Sequence, residues 1–283
     1  MSHLNTSYLG SLSIFLQSNE AQVSLSNSNK IFFLREIINP PPNISMLIGL
    51  TSFECPYSMY NFNEGQNDSI TITSSTGSHT VNVGSRNYTA VELATKLTTL
   101  FSTTDTINNL GFIVKVSYDS DFNKFTFKAT GDITITNTTA LKELGFRDNI
   151  PSVTSTSITS PNIVNLSGSS SVYLRCANLS IRNLDSRGNQ SGIIGKINIE
   201  VNPNEFIFWK STESIYYPVN QRQITHLQIE LTDENNNELL LNGADFSLSL
   251  TIHFQETISP TEIKKEFLLN NKIIRNFENL EEE

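Results

Sequence analysis

Between Ser171 and Phe254 the chain is cut into short apolar segments at nearly regular spacing: SVYLRCANLSI, GIIGKINIEV, EFIFWKS, ITHLQIEL and DFSLSLTIHF. Each is bounded by Asn, Gly or Pro, and no stretch of helical period separates one from the next. Parallel strands need a helical crossover, so this spacing favours a sandwich or jelly roll over βαβ units. Composition agrees. Charged residues make up only 17% of the chain, and its many hydroxylic and β-branched side chains suit strands and turns.

The N-terminal part reads the same way. VSLSNSNKIFFLREI (Val23 to Ile37) alternates, breaks at SNSN and resumes. NPPPN (Asn39 to Asn43) then forbids helix and central strand alike, because three prolines remove three donors. ISMLIGLTSFECPYSMYNF follows as a long, mostly buried strand, with Pro56 marking a bulge or edge.

From about Phe62 to Pro161 the texture changes. SITITSSTGSHTVNV predicts a hairpin around Thr76-Gly77. TAVELATKLTTLFS switches to helical period, with Val91, Ala94, Leu97 and Leu100 on one face. Thr89 and Glu92 form a capping box. FIVKVSYDSDFNKFTFKA predicts a second hairpin, GDITIT a further strand, and TTALKELGF a short helix ended by Gly145. The Ser/Thr-rich stretch Ser152 to Asn162 reads as a linker.

In SPTEIKKEFLLNNKIIRNF, Ser259 serves as N-cap, Pro260 as N1 and Glu262 as N3. Ile263, Phe267, Ile274 and Phe277 then form an apolar stripe, a candidate subunit-contact surface. The expected fold is therefore mainly β: a single β-sandwich with an inserted α+β domain and a C-terminal amphipathic helix. The expected division is an N-terminal arm over 1–22, the sandwich from 23–61 and 162–258, the insertion over 62–161, and the tail over 259–283.

Chemistry is sparse. The formal net charge of −9 would be repelled by phosphate backbones, so nucleic acid is not an expected partner. The N-terminus does not read as a signal peptide, and no apolar run approaches the roughly 20 residues that span a bilayer. Synthesis in the cytosol is the expectation, and Cys55 and Cys176 are expected as buried free thiols, with a disulfide as the alternative. His3, His79, His226 and His253 lack metal-pair spacing, and no HExxH, Cys-x-x-Cys, nucleophile elbow or phosphate-binding glycine loop occurs. Neither an enzyme, a metal site nor a cofactor is expected. Two acidic turns could hold a cation: Asp119 and Asp121 in YDSDFN, and Asp233, Asn235 and Asn237 in TDENNNELLLNGA. The second fails as a calcium loop, since position six holds Glu238 where Gly is needed and position twelve holds Ala244 where Glu is needed. Phe206, Phe208, Trp209, Tyr216 and Tyr217 could line a sugar-binding surface, the basis of an alternative reading as a viral attachment or lectin-type protein.

Several phrases in succession resemble vertex (penton) capsid proteins of virophages and polinton-like viruses. They are ECPYSMYNFN, NYTAVELATKL, VSYDSDFNKFTFKATGDITI running into LKELGF, NIVNLSGSSSVYLRCANLSIRNLDSRG, and LTDENNNELLLNGADFSLSLTIHF. The resemblance covers about Lys30 to Phe254. It implies a single jelly roll whose subunits form homopentamers at icosahedral capsid vertices of the virion, assembled in the host cytoplasm. Major capsid proteins of double-jelly-roll type would be neighbours, with other minor capsid proteins and a host receptor as further partners.

Overall fold

The computed structural model describes residues 8–136, 138–146, 154–179, 181, 183–184, 191–213 and 215–256. The chain divides into two compact units, one from Met1–Ser58 with Ser171–Glu283, the other Met59–Ser170. The first begins with β1 (Tyr8–Gln17), β2 (Val23–Ser24), β3 (Asn29–Ile38) and β4 (Ile44–Pro56). The second holds β5 (Ser69–Ser74), β6 (Ser78–Asn82), α1 (Ala90–Leu100), α2 (Thr104–Leu110), β7 (Val114–Asp119), β8 (Lys124–Thr136) and β9 (Ser155–Thr159). The chain then returns to the first unit with β10 (Ser171–Cys176), β11 (Ile193–Asn198), β12 (Phe206–Lys210), β13 (Tyr217–Val219), β14 (Ile224–Thr232) and β15 (Ser247–Glu256).

The first unit is a jelly roll. One sheet runs β1-β15-β4-β12, with β13 also on β4; the other runs β11-β10-β14-β3-β2. The pairing is nested: β1 with β15, β3 with β14, β4 with β12 and β13, and β10 with β11, all antiparallel. First therefore joins last, and each later strand joins the next one inward, the signature of a strip folded over on itself. Period-two alternation drives it. Leu248, Leu250 and Ile252 of β15 are buried between half-exposed Ser249, Thr251 and His253. The two inner faces meet where Gly195 of β11 passes Leu50 of β4: a Cβ there would lie 2.5 Å from Leu50 Cδ2. Phe53 and Phe246 stack within the same core, their ring centroids 6.4 Å apart.

The sequence reading placed residues 1–22 in an arm. Instead Tyr8–Gln17 is β1, the outermost strand of the first sheet, in register with β15 from Tyr8↔Gln255 to Gln17↔Ser247. SLSIFL has the same period as SLSL in β15, so it pairs as a strand; Leu16 is buried by that pairing, while Leu9, Leu12 and Phe15 stay exposed.

The second unit has its own core. Its sheet runs β6-β5-β8-β7, with β9 also on β8, and Phe62, Phe101, Phe125, Phe127 and Phe146 are fully buried in it. Each such ring contributes roughly 1.5–3 kcal/mol relative to exposure. Helix α1 carries the predicted capping box: Glu92 N donates to Thr89 Oγ1 at 3.3 Å, and Thr89 N donates to Glu92 Oε2 at 3.0 Å. Its buried face is centred on Leu93, Ala94 and Leu97, while Val91 faces solvent. Three expectations are corrected. The linker region contains β9, the two strands foreseen around Gly131 are one strand, β8, and TTALKELGF is a turn. That turn is closed by Phe146 N donating to Leu141 O, with Gly145 at φ 80.

Replacing Thr89 with Ala removes the oxygen that accepts from Glu92 N and should destabilise the second unit by about 1 kcal/mol. Chemical denaturation followed by tyrosine fluorescence checks it; Thr89→Ser should retain most of the stability.

Candidate assembly surface

Both lateral edges of the first sheet expose apolar side chains. β1 is terminal in its sheet, so one row of its N–H and C=O groups has no strand partner among the described residues. YLGSLSIFLQ contains neither charge nor proline, the usual protections of such an edge. Phe15 is 77% exposed on the outer face, opposite Ser249. Leu12 is opposite fully buried Ile252 and so points inward, yet is 40% exposed. The sandwich is thus open on this side as far as the described residues extend.

At the other end of the sheet, β12 divides its aromatics between two faces. Ile207 and Trp209 pair with buried Cys55 and Phe53 and turn inward; Phe206 and Phe208 pair with Pro56 and Glu54 and are about two-thirds exposed. Beside them, between β11 and β12, lies a cavity of about 210 Å³ walled by Val201, Ile207, Phe208 and Trp209, with Lys196 and Glu200 at its polar side. Between the two edges the outer face is small and hydroxylic. Ser52 Oγ and Ser249 Oγ are 2.9 Å apart, and Tyr216 lies across Gly49 with its ring against His253 at 4.0 Å. A Cβ on Gly49 would come within 2.8 Å of the Tyr216 ring, so the crossing needs glycine there.

The second sheet is mixed in character. Arg175 Nε donates to Thr232 Oγ1 at 3.1 Å and its Nη1 donates to Ser191 O, while Lys196 lies over the Tyr173 ring at 5.7 Å. The same sheet also exposes Phe33 and Ile37 of β3, so what sets the first sheet apart is that its exposed apolar residues sit at its two opposite edges.

The sequence-predicted stripe of Ile263, Phe267, Ile274 and Phe277 lies outside the described residues. The proposed sugar-binding aromatics form no single platform, since Trp209 and Tyr217 face the core side while Phe206, Phe208 and Tyr216 face outward. Asp233 closes a turn: its Oδ1 accepts from Asn235 N and Asn237 N, and its Oδ2 from Asn237 Nδ2. Asp119 Oδ1 likewise accepts from Asp121 N and Phe122 N. The histidines are dispersed, His226 against Phe33, His253 against Tyr216 and His79 beside Phe101. Among the described residues no group of three His, Cys, Asp or Glu is placed to share a metal, and no helix is long and apolar enough to cross a membrane.

Cys55 and Cys176 are free and buried. Burial pushes both thiols up to about 12, with the charge of Asp245 adding to the effect at Cys55. Neither is a nucleophile near neutrality. Ellman's reagent at pH 8 should therefore titrate neither thiol in the native protein and both after denaturation.

No protein-family model matches the chain, and no curated protein matches it. Among solved structures, the crystal structure of selenomethionine-labelled mavirus penton protein is similar over 86% of this chain and 98% of that one, with 16% identity and a TM-score of 0.45.

Proposed function

We propose that the protein is a capsid vertex subunit that forms homopentamers, packed in the virion against double-jelly-roll major capsid proteins and other minor capsid proteins. The observation that carries this is the pair of apolar edges on one sheet. A cyclic ring of identical subunits needs a heterologous contact, one surface of each subunit meeting a different surface of the next. Exposed Leu9, Leu12 and Phe15 at the β1 edge, and Phe206, Phe208 and the cavity at the β12 edge, are such a pair. Phe15 is the knob and the β11–β12 cavity the hole. The sequence phrases that resemble penton proteins support the five-fold number, and the acidic chain suits a shell position away from the genome.

Mass photometry of the full chain, alone and with a major capsid protein, should show pentamers. Monomers under every condition would overturn the reading. Phe15→Asp and Phe208→Asp should each weaken the contact by about 2 kcal/mol or more, as for a central interface anchor. An equimolar mixture of the two variants retains one intact pair of edges, and should stop at dimers instead of closing rings.

The apolar stripe from Ile263 to Phe277 is a second contact in this scheme. Deleting Pro260 to Glu283 should lower the yield of assembled oligomer while leaving the subunit's thermal transition nearly unchanged; unaltered yield would remove the tail from the scheme.

A further inference from the structure

The inserted unit contains three oxygen atoms that the protein shields from solvent without supplying a donor: Asn63 Oδ1, Asp68 Oδ2 and Glu143 Oε2. Asn67 bonds or adjoins all three residues. Asn67 Oδ1 accepts from Asn63 N at 2.8 Å, Asn67 Nδ2 donates to Glu143 Oε1 at 2.7 Å, and Asn67 immediately precedes Asp68. The turn is tight: Asn63 O accepts from both Gln66 N and Asn67 N, and Asp68 Oδ1 accepts from Gly65 N at 3.0 Å, with Gly65 at φ 75. Asp68 is only 3% exposed.

These oxygens differ from those of the other acidic turns. Both carboxylate oxygens of Asp233 are taken by protein donors and Asp119 is exposed to water, whereas Asp68 and Glu143 each keep one oxygen that neither a protein donor nor solvent reaches. Leaving a buried acceptor unmade costs about 1–3 kcal/mol, and more when it is charged. Among the described residues neither carboxylate forms a salt bridge.

We propose that Asn63, Asp68 and Glu143 form a binding site for a hard divalent cation, calcium by preference. The donors are all oxygen, two anionic and one neutral, so the charge of a divalent ion is balanced. Calcium takes six to eight oxygens in flexible geometry, and main-chain carbonyls and water complete such a set; zinc prefers nitrogen and sulfur, and magnesium a stricter octahedron. Three protein side chains place the affinity at about 10⁻⁴–10⁻³ M. The ion would fasten the turn before β5 to the 141–145 turn. The site is independent of the proposed ring contact, which lies in the other unit.

The full chain should show a calcium-dependent rise in melting temperature of about 3 °C or more between EDTA and 10 mM calcium chloride. Terbium should give tyrosine-sensitised luminescence that calcium displaces. Asp68→Asn keeps the acceptor for Gly65 N, and Glu143→Gln keeps the acceptor for Asn67, so both variants should fold yet lose the calcium shift. Asp233→Asn should keep it. The proposal is overturned if the wild-type protein shows neither thermal shift nor calorimetric heat with calcium, or if the shift survives in both Asp68→Asn and Glu143→Gln.

Discussion

Strand β4 is the member on which the rest of the jelly roll depends. Its thirteen residues pair with β15 along one side and with β13 and then β12 along the other, so both of its edges are spent on hydrogen bonds. Through β15 it holds β1, and through Leu50 it meets Gly195 of the opposite sheet. It also delivers the chain to the insertion, which leaves just beyond Pro56 and returns at β10. An insertion there costs little conformational entropy, because closure entropy grows only with the logarithm of loop length. The inserted unit also draws its own ends together: Asn61 Nδ2 donates both to Tyr88 O at 2.9 Å and to Leu166 O at 3.1 Å.

The strands were legible in the sequence wherever a period of two ran between turn residues, as in ITHLQIEL and SLSLTIHF. β1 carries the same signal in SLSIFL yet reads as an arm, because a strand whose partner begins at Ser247 gives no local sign of that pairing. The helical reading of TTALKELGF failed for an opposite reason. Its propensity is helical, but the segment is too short to offset nucleation and Gly145 leaves the right-handed region after one turn. β9 was hidden because Ser155–Thr159 has only Ile158 as a buried anchor; its strand character comes from β8 beside it.

The candidate surfaces were less legible than the fold. Exposure of Leu12 follows from its place at the edge of a folded sheet, since the sequence pattern marks it as a core residue like Ile14 and Leu16. The same holds for Asp68. A run such as NEGQND reads as a turn with solvated acids, and only the packing around Asn67 and Glu143 reveals that one oxygen of Asp68 is shut away from water. In the turns that short spacing marks as cation candidates, by contrast, Asp119 and Asp233 accept from the amides that follow them, which is local chemistry that such spacing does foretell.

Charge bears on which surfaces of this chain suit the proposed self-contact. With a net charge of −9, copies of this chain repel one another at long range, and at physiological salt that repulsion is screened beyond about 8 Å. Association must then come from contacts shorter than that length. Salt-bridge pairing is poorly suited to the task in a chain with only 19 basic residues against 28 acidic ones. Apolar edges carry no such deficit: Leu9, Leu12 and Phe15 on one side and Phe206 and Phe208 on the other gain by leaving water whatever the net charge. In the proposed ring, the two ends of the β1-to-β12 sheet supply the two different surfaces that closure requires.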